Sequence, residues 1–243
     1  MTDAIRRAFV ARTPAPGDRV DLDADESHHV ARVLRLKPKD ALAVFDGRGG
    51  EWAATIEAVT RESVTVAVGA LRQGLVDPVL RVSLFQALAR PEKLEWVLQK
   101  GTEVGIGAFH LVASERVEVP PPSPSRLQRY ARIVMEACKQ SGRRRLPPVA
   151  LGELGTPPDG VTAIALAISS GLDPLGTVLA APRTGDVWLA VGPAGGFSEG
   201  ELTALTDAGW RLASLGPRVL RTETAGVVAA AIVLHAWGDL GPC

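Results

Sequence analysis

The sequence predicts two structural classes in series: a small β-rich module with one helix, then an α/β domain on a mainly parallel sheet. Three observations carry this. The first third holds short, partly alternating apolar runs separated by turn residues. From residue 79 onward, strand-like runs alternate with helix-like ones. The 243 residues are 46% hydrophobic, enough for one large domain or two modest ones with real cores.

In the first module, candidate strands span 19–22, 41–45, 52–59 and 63–68. Asp46-Gly47-Arg48-Gly49-Gly50 and Arg61-Glu62 mark turns between them. A helix is predicted over 25–35. Val30, Val33 and Leu34 there share an apolar face, and His28, Arg32 and Arg35 share another. Short strands with one helix suggest a small barrel. The expected domains are 1–72 and 79–243, joined by a linker at 73–78.

In the second domain, candidate strands span 81–87, 109–113, 162–168, 187–191 and 211–215. Leu94, Val97, Leu98, Gly101 and Val104 form one helical stripe. Leu127, Tyr130, Ala131, Val134 and Cys138 form a second. A last helix, about 223–237, is Ala/Val-rich nearly all round, which suits a buried or interface position. The proline-rich 120–124 is a stiff surface connection, because the alternation continues beyond it.

Charge narrows the function classes. With 27 basic and 27 acidic residues the net charge is zero, which excludes a uniformly basic coat protein. The sum hides a partition of −1 over 1–79, +6 over 80–150 and −5 over 151–243. The middle segment is a candidate footprint for a polyanion. Two cysteines, Cys138 and Cys243, exclude a disulfide scaffold and a Cys-based zinc site. His28-His29 point apart on a helix and have no third ligand nearby, so no metal is expected. Cys138 lies on an apolar stripe and reads as core, and His110 and His235 read as structural. With no secretory signal and no apolar run long enough to span a bilayer, no membrane association and a cytosolic location are expected.

Three segments suit chemistry. At 187–201 a strand enters the Gly-rich Gly192-Pro193-Ala194-Gly195-Gly196, then a helix with Ser198 as N-cap and Glu201 as capping-box partner. Glycines let a ligand approach backbone N–H and C=O groups. Ligands of open α/β sheets sit at strand carboxyl ends, where this loop lies. Neither GxGxxG nor GxxxxGK is present, so a dinucleotide fingerprint and a P-loop are unsupported. One such loop alone is an ordinary strand–turn–helix corner. A second, at 213–225, again ends a strand at Gly216-Pro217 and enters a helix capped by Thr222 or Thr224, with Arg221 and Glu223 beside the cap. Those two are either a ligand-facing pair or a structural ion pair. The third segment ends a helix at Ser141-Gly142 and continues as Arg143-Arg144-Arg145. Guanidinium forks suit phosphate oxygens, and cations also suit a helix C-terminus.

The chain resembles the bacterial 16S rRNA uridine-N3 methyltransferase family, ribosomal small subunit methyltransferase E, of the SPOUT superfamily. The match runs nearly end to end. It includes His28-His29 with Val33-Leu34-Arg35-Leu36, and Lys93-Leu94-Glu95-Trp96-Val97-Leu98-Gln99-Lys100 with Thr102-Glu103. It continues through Glu136-Ala137 with Gln140-Ser141-Gly142-Arg143, and through Gly192-Pro193 with Gly195-Gly196-Phe197-Ser198 and Glu201. Ser214-Leu215-Gly216, Leu220-Arg221 and Glu223-Thr224-Ala225 complete it.

The resemblance implies a PUA-like β-barrel RNA-binding domain, followed by an α/β methyltransferase domain with a C-terminal trefoil knot. It implies S-adenosyl-L-methionine as cofactor, held around Gly192, Gly195, Gly196, Leu215, Gly216, Leu220 and Thr224. A homodimer packed through the last helix is implied, with 16S rRNA of the small ribosomal subunit as substrate. On that reading Arg221 stabilises the uridine anion or orients the base, and Glu223 is a base or orients Arg221. His28, Arg32, Arg35, Arg143, Arg144 and Arg145 would grip phosphates, and the −5 segment would cradle the cationic cofactor.

Three departures stand out. Ala194 replaces the family's usual Glu, Lys139 stands at a commonly acidic position, and Val117 follows Arg116 where the family has Ser. A non-catalytic ribosome-assembly factor, or a SPOUT enzyme for another RNA, are the alternatives.

Overall fold

A computed structural model describes residues 6–74, 77–182, 185–238 and 240. Cys243 and the linker's Leu75-Val76 lie outside these. The chain divides into two compact units. One comprises Met1–Asp77 with Cys138–Leu146; the other comprises Pro78–Ala137 with Pro147–Cys243.

The first unit is a five-stranded sheet. Its strands are β1 (Arg7–Phe9), β2 (Arg19–Asp21), β3 (Ala41–Phe45), β4 (Glu51–Val59) and β5 (Val64–Leu71), in the order β1-β3-β4-β5-β2. Among the described residues no ladder joins β1 to β2, so the expected barrel is a half-barrel. Alternation places Val64, Val66 and Val68 of β5 and Trp52, Ala54 and Ile56 of β4 on one buried face. β1 is too short for periodicity to reveal it.

The predicted helix is split. Asp23 caps α1 (Ala24–His28), accepting from Glu26 N at 2.8 Å. A π-helical turn (His29–Val33) follows, with Leu34 N donating to His29 O at 2.9 Å. The wider turn rotates later residues away from an ideal α register. Val30 is buried and Leu34 packs on the core, but Val33, expected on that apolar face, is 60% exposed. Arg35 lies beyond the helix in left-handed backbone (φ 55°), so His28, Arg32 and Arg35 do not share one helical face.

The second unit is a six-stranded, fully parallel sheet. Its strands are β6 (Val82–Ala87), β7 (Ala108–Val112), β8 (Val149–Gly152), β9 (Thr162–Leu166), β10 (Val187–Val191) and β11 (Arg211–Ala213). Their order is β11-β9-β10-β6-β7-β8. β6 is buried at every position, as a central strand covered on both faces must be. The sequence misses β8 because half its residues are exposed and it sits at the sheet edge. Helices α2 (Pro91–Val104), α3 (Pro124–Ser141), α4 (Leu175–Val178), α5 (Glu199–Asp207) and α6 (Thr222–Trp237) complete the chain. In α2, Leu94, Val97, Leu98 and Gly101 are buried, matching the stripe. Among the described residues, no helix is long and apolar enough to cross a membrane.

Candidate functional site

Three loops follow the carboxyl ends of β9, β10 and β11 and converge on a cleft of about 840 Å³. They supply 167–170, Gly192 to Ala194 with Gly196, and 214–221. Parallel strands force this convergence, since all their carboxyl ends lie at one edge.

Side chains below the cleft fix its backbone. Thr222 donates to Gly192 O at 2.6 Å and accepts from Gln86 Nε2 at 2.9 Å, with both side chains buried. Thr222 is therefore not the helix cap. Arg221 is the N-cap of α6, and its carbonyl accepts from Thr224 N and Ala225 N at 2.9 Å each. A Cβ on Gly192 would meet Phe197 N at 2.8 Å, so only glycine fits there.

The Gly-rich loop is held from its far side too. Ser198 and Glu201 form the expected capping box. Glu201 also accepts from Glu115 N at 3.0 Å. Burial works against the Glu201 charge, but backbone and side-chain donors, Ser198 N foremost, outweigh it and hold the carboxyl below its usual range. Arg116 donates to Gly195 O at 2.7 Å, so a guanidinium orders the loop in a chain that has Ala194.

Of the predicted cofactor residues, Gly192, Gly196, Leu215, Gly216 and Leu220 line the cleft, as does Arg221. Gly195 faces a neighbouring groove instead, and Thr224 is not in the cleft lining. Glu223 is not in that lining either: it lies 3.3 Å from Lys93 Nζ, in an ion pair. The expectation of an acidic cradle is overturned. Among the described residues, the charged side chains of the lining are Lys93, Arg218 and Arg221, all cationic.

The arginine run divides. Arg143 and Arg144 are 5% and 8% exposed and cannot grip phosphates as they stand. Arg143 pairs with Asp77 at 3.2 Å, and Arg144 with Glu51 at 3.1 Å. Arg144 also donates to Arg72 O at 3.0 Å and Gly74 O at 2.8 Å. Arg7 reaches the same carboxylate, Glu51, at 2.7 Å. Lys139, the second departure, pairs with buried Glu26 at 2.6 Å. Arg145 is exposed, as are His28, Arg32 and Arg35. Burial pushes the Cys138 thiol up to about 11, in keeping with a core role, and His110 stacks on Phe85 at 4.4 Å.

Sequence reading missed the loop after β9 and assigned no role to Lys93, Gln86 or Arg116. A signal for the loop existed: Ser169-Ser170-Gly171 follows a strand much as the other two small-residue turns do.

The comparisons agree along the chain. Residues 76–234 match the family described as RNA methyltransferase domain, and 22–69 the RNA methyltransferase PUA domain. Ribosomal RNA small subunit methyltransferase E of Mycobacterium bovis is 35% identical over 238 residues, covering 93% of this chain and 89% of that one. Its namesake from Synechocystis is 34% identical, covering 87% of this chain and 71% of that one. The crystal structure of the Neisseria gonorrhoeae protein of that name, bound to S-adenosyl methionine, superposes with a TM-score of 0.91 at 30% identity, covering 98% and 100% of the two chains.

Proposed function

This chain belongs to the ribosomal RNA small subunit methyltransferase E family, and on that premise we propose that it methylates N3 of one uridine in 16S rRNA, using S-adenosyl-L-methionine. The observation that carries the reading is the three-loop cleft at the carboxyl ends of β9, β10 and β11.

The cleft suits this cofactor on its own chemistry. Its walls combine loop backbone and apolar groups such as Leu166, Ile168, Val191, Leu215 and Leu220 with a few polar and cationic side chains, and the sequence has no phosphate-binding loop. Gly192 leaves no room for a side chain, and Gly216 takes left-handed backbone (φ 94°), so main chain stands where a ligand approaches. Gly192, Gly196, Leu215, Gly216 and Leu220 would hold the cofactor, which supplies a methyl already activated on a sulfonium. The cationic side chains of the lining suit an incoming polyanion.

The protein's task is then alignment, which contributes on the order of 7–11 kcal/mol to lowering such a barrier. Uridine N3 carries a weakly acidic proton, so a cation beside the ring favours the form that reacts. Exposed Arg221, in the lining and at the start of α6, is assigned to that anion or to holding the base. The target base must be unpaired or flipped to reach the cleft. Arg145, His28, Arg32 and Arg35 are the exposed cations assigned to phosphates.

The reading includes a trefoil knot, a cytosolic location and a homodimer. The dimer is assigned to α6, where Val227, Val228, Ala231 and Ile232 stay at least partly exposed although the helix is strongly apolar. Arg116 ordering the loop without the family's carboxylate favours an active enzyme over an assembly factor. Labelled S-adenosyl-L-methionine and undermethylated small subunits test the reading. Transfer of one methyl per subunit supports it; no transfer together with no cofactor binding by calorimetry supports the assembly factor.

A further inference from the structure

We propose that Lys93 is a second charged group, beside Arg221, that meets the target uracil, at the point where a second groove adjoins the cofactor cleft. The proposal rests on the uridine-methylation reading above. The second groove has a volume of about 700 Å³ and is walled by the segments after β6 and β7, with Arg90, Lys93 and Arg116 balanced by Glu92, Glu115 and Glu118. It shares Lys93, Pro193, Ala194 and Thr222 with the cofactor cleft. Lys93 is the one charged residue of those four.

Its setting breaks a local rule. Lys93 stands in the first turn of α2, where the helix dipole disfavours a cation. Residues that violate local preference are enriched where function requires them. The compensation is Glu223, whose Oε2 lies 3.3 Å away. That oxygen is buried, while the Lys93 side chain is about a third exposed (34%). One carboxylate oxygen cannot occupy all three N–H donors of the ammonium, so the exposed side can serve another acceptor. Glu223 itself lies in the first turn of α6, where a carboxylate is favoured. It is a positioning residue for Lys93 and not the base.

Uracil supplies the matching acceptors. N3 is flanked by the O2 and O4 carbonyls. When the N3–H bond breaks, its electron pair stays on the ring, spread over N3, O2 and O4, and the proton passes to water. That pair then takes up the methyl, while the methyl's former bonding pair remains on sulfur. An ammonium beside O2 or O4 stabilises the anion and sets the base's orientation.

The test compares wild type, Lys93→Met and Lys93→Arg on small subunits that lack the methyl, made with either uridine or 5-fluorouridine, whose N3 proton is more acidic. Lys93→Met is expected to lower kcat by about 100-fold, with cofactor affinity by calorimetry near wild type. Lys93→Arg should retain more activity. Fluorouridine, or raised pH, should restore most of the loss in Lys93→Met, because less help is needed to lose the proton. Wild-type kcat in Lys93→Met overturns the proposal, and so does an equal loss on both substrates or a loss of cofactor binding. If wild type itself transfers no methyl, the methylation reading is what fails.

Discussion

Charge is used in opposite ways in the two units. In the first, it is drawn inward: Arg7 and Arg144 converge on Glu51, and all three are less than a tenth exposed. In the second, the cleft presents exposed Arg218 and Arg221 and half-buried Lys93, between loops of bare backbone. The conspicuous arginine run belongs mainly to the inward arrangement and the inconspicuous Gly-Pro corners to the outward one. A charged motif becomes structural when carboxylates and carbonyls of its own unit satisfy every donor. A corner becomes a site when several of them converge at one sheet edge.

Breaking the inward network should have the largest effect. Arg144→Ala leaves Glu51 buried with one partner fewer and should cost about 3–5 kcal/mol of stability, read by urea unfolding. A cost within experimental error would mean that the guanidinium is not part of the folded core. At the cleft the loss should fall on turnover. Arg221→Ala is expected to lower kcat about 100-fold while cofactor affinity and unfolding stay near wild type; unchanged kcat would remove Arg221 from the reaction.

The loop's supports should give intermediate effects. Thr222→Val removes a buried hydroxyl from Gly192 O and Gln86, and should cost about 1–3 kcal/mol, read by urea unfolding together with weaker cofactor binding. Glu201 carries a carboxyl held below its usual range, so its contribution is present above the ordinary carboxylate pKa and fades as pH falls through the lowered one. Glu201→Gln should cost about 1 kcal/mol near neutrality and progressively less in acid; a pH-independent difference would contradict the account. Smallest of all, Arg145→Ala should weaken RNA binding a few-fold and reduce the salt slope by about one. Arg145 differs from its two neighbours only if that slope changes.

Much of this was legible in the sequence, for physical reasons. Buried parallel strands such as 187–191 are continuous apolar runs, and the Ser198–Glu201 box follows from spacing alone. The half-barrel's β1 is three residues long, and the π-turn at 29–33 leaves no mark on a 3.6-residue pattern, so both escaped. At the site, Gly192, Gly216 and Arg221 are readable because each sits at a strand-to-helix corner. Gln86 and Lys93 are not: one looks like part of a buried strand and the other like a solvated helix end. Only the topology brings β6, α2 and α6 together beneath the cleft.

The central claim is methyl transfer from the three-loop cleft to a single uridine. The most direct measurement is mass spectrometry of 16S rRNA from small subunits incubated with S-adenosyl-L-methionine and either wild type or Gly192→Val. The account predicts one N3-methyluridine with wild type and none with the variant, whose side chain cannot fit against Phe197 N. No methyl with wild type, a methyl on ribose, or full modification by the variant would contradict it.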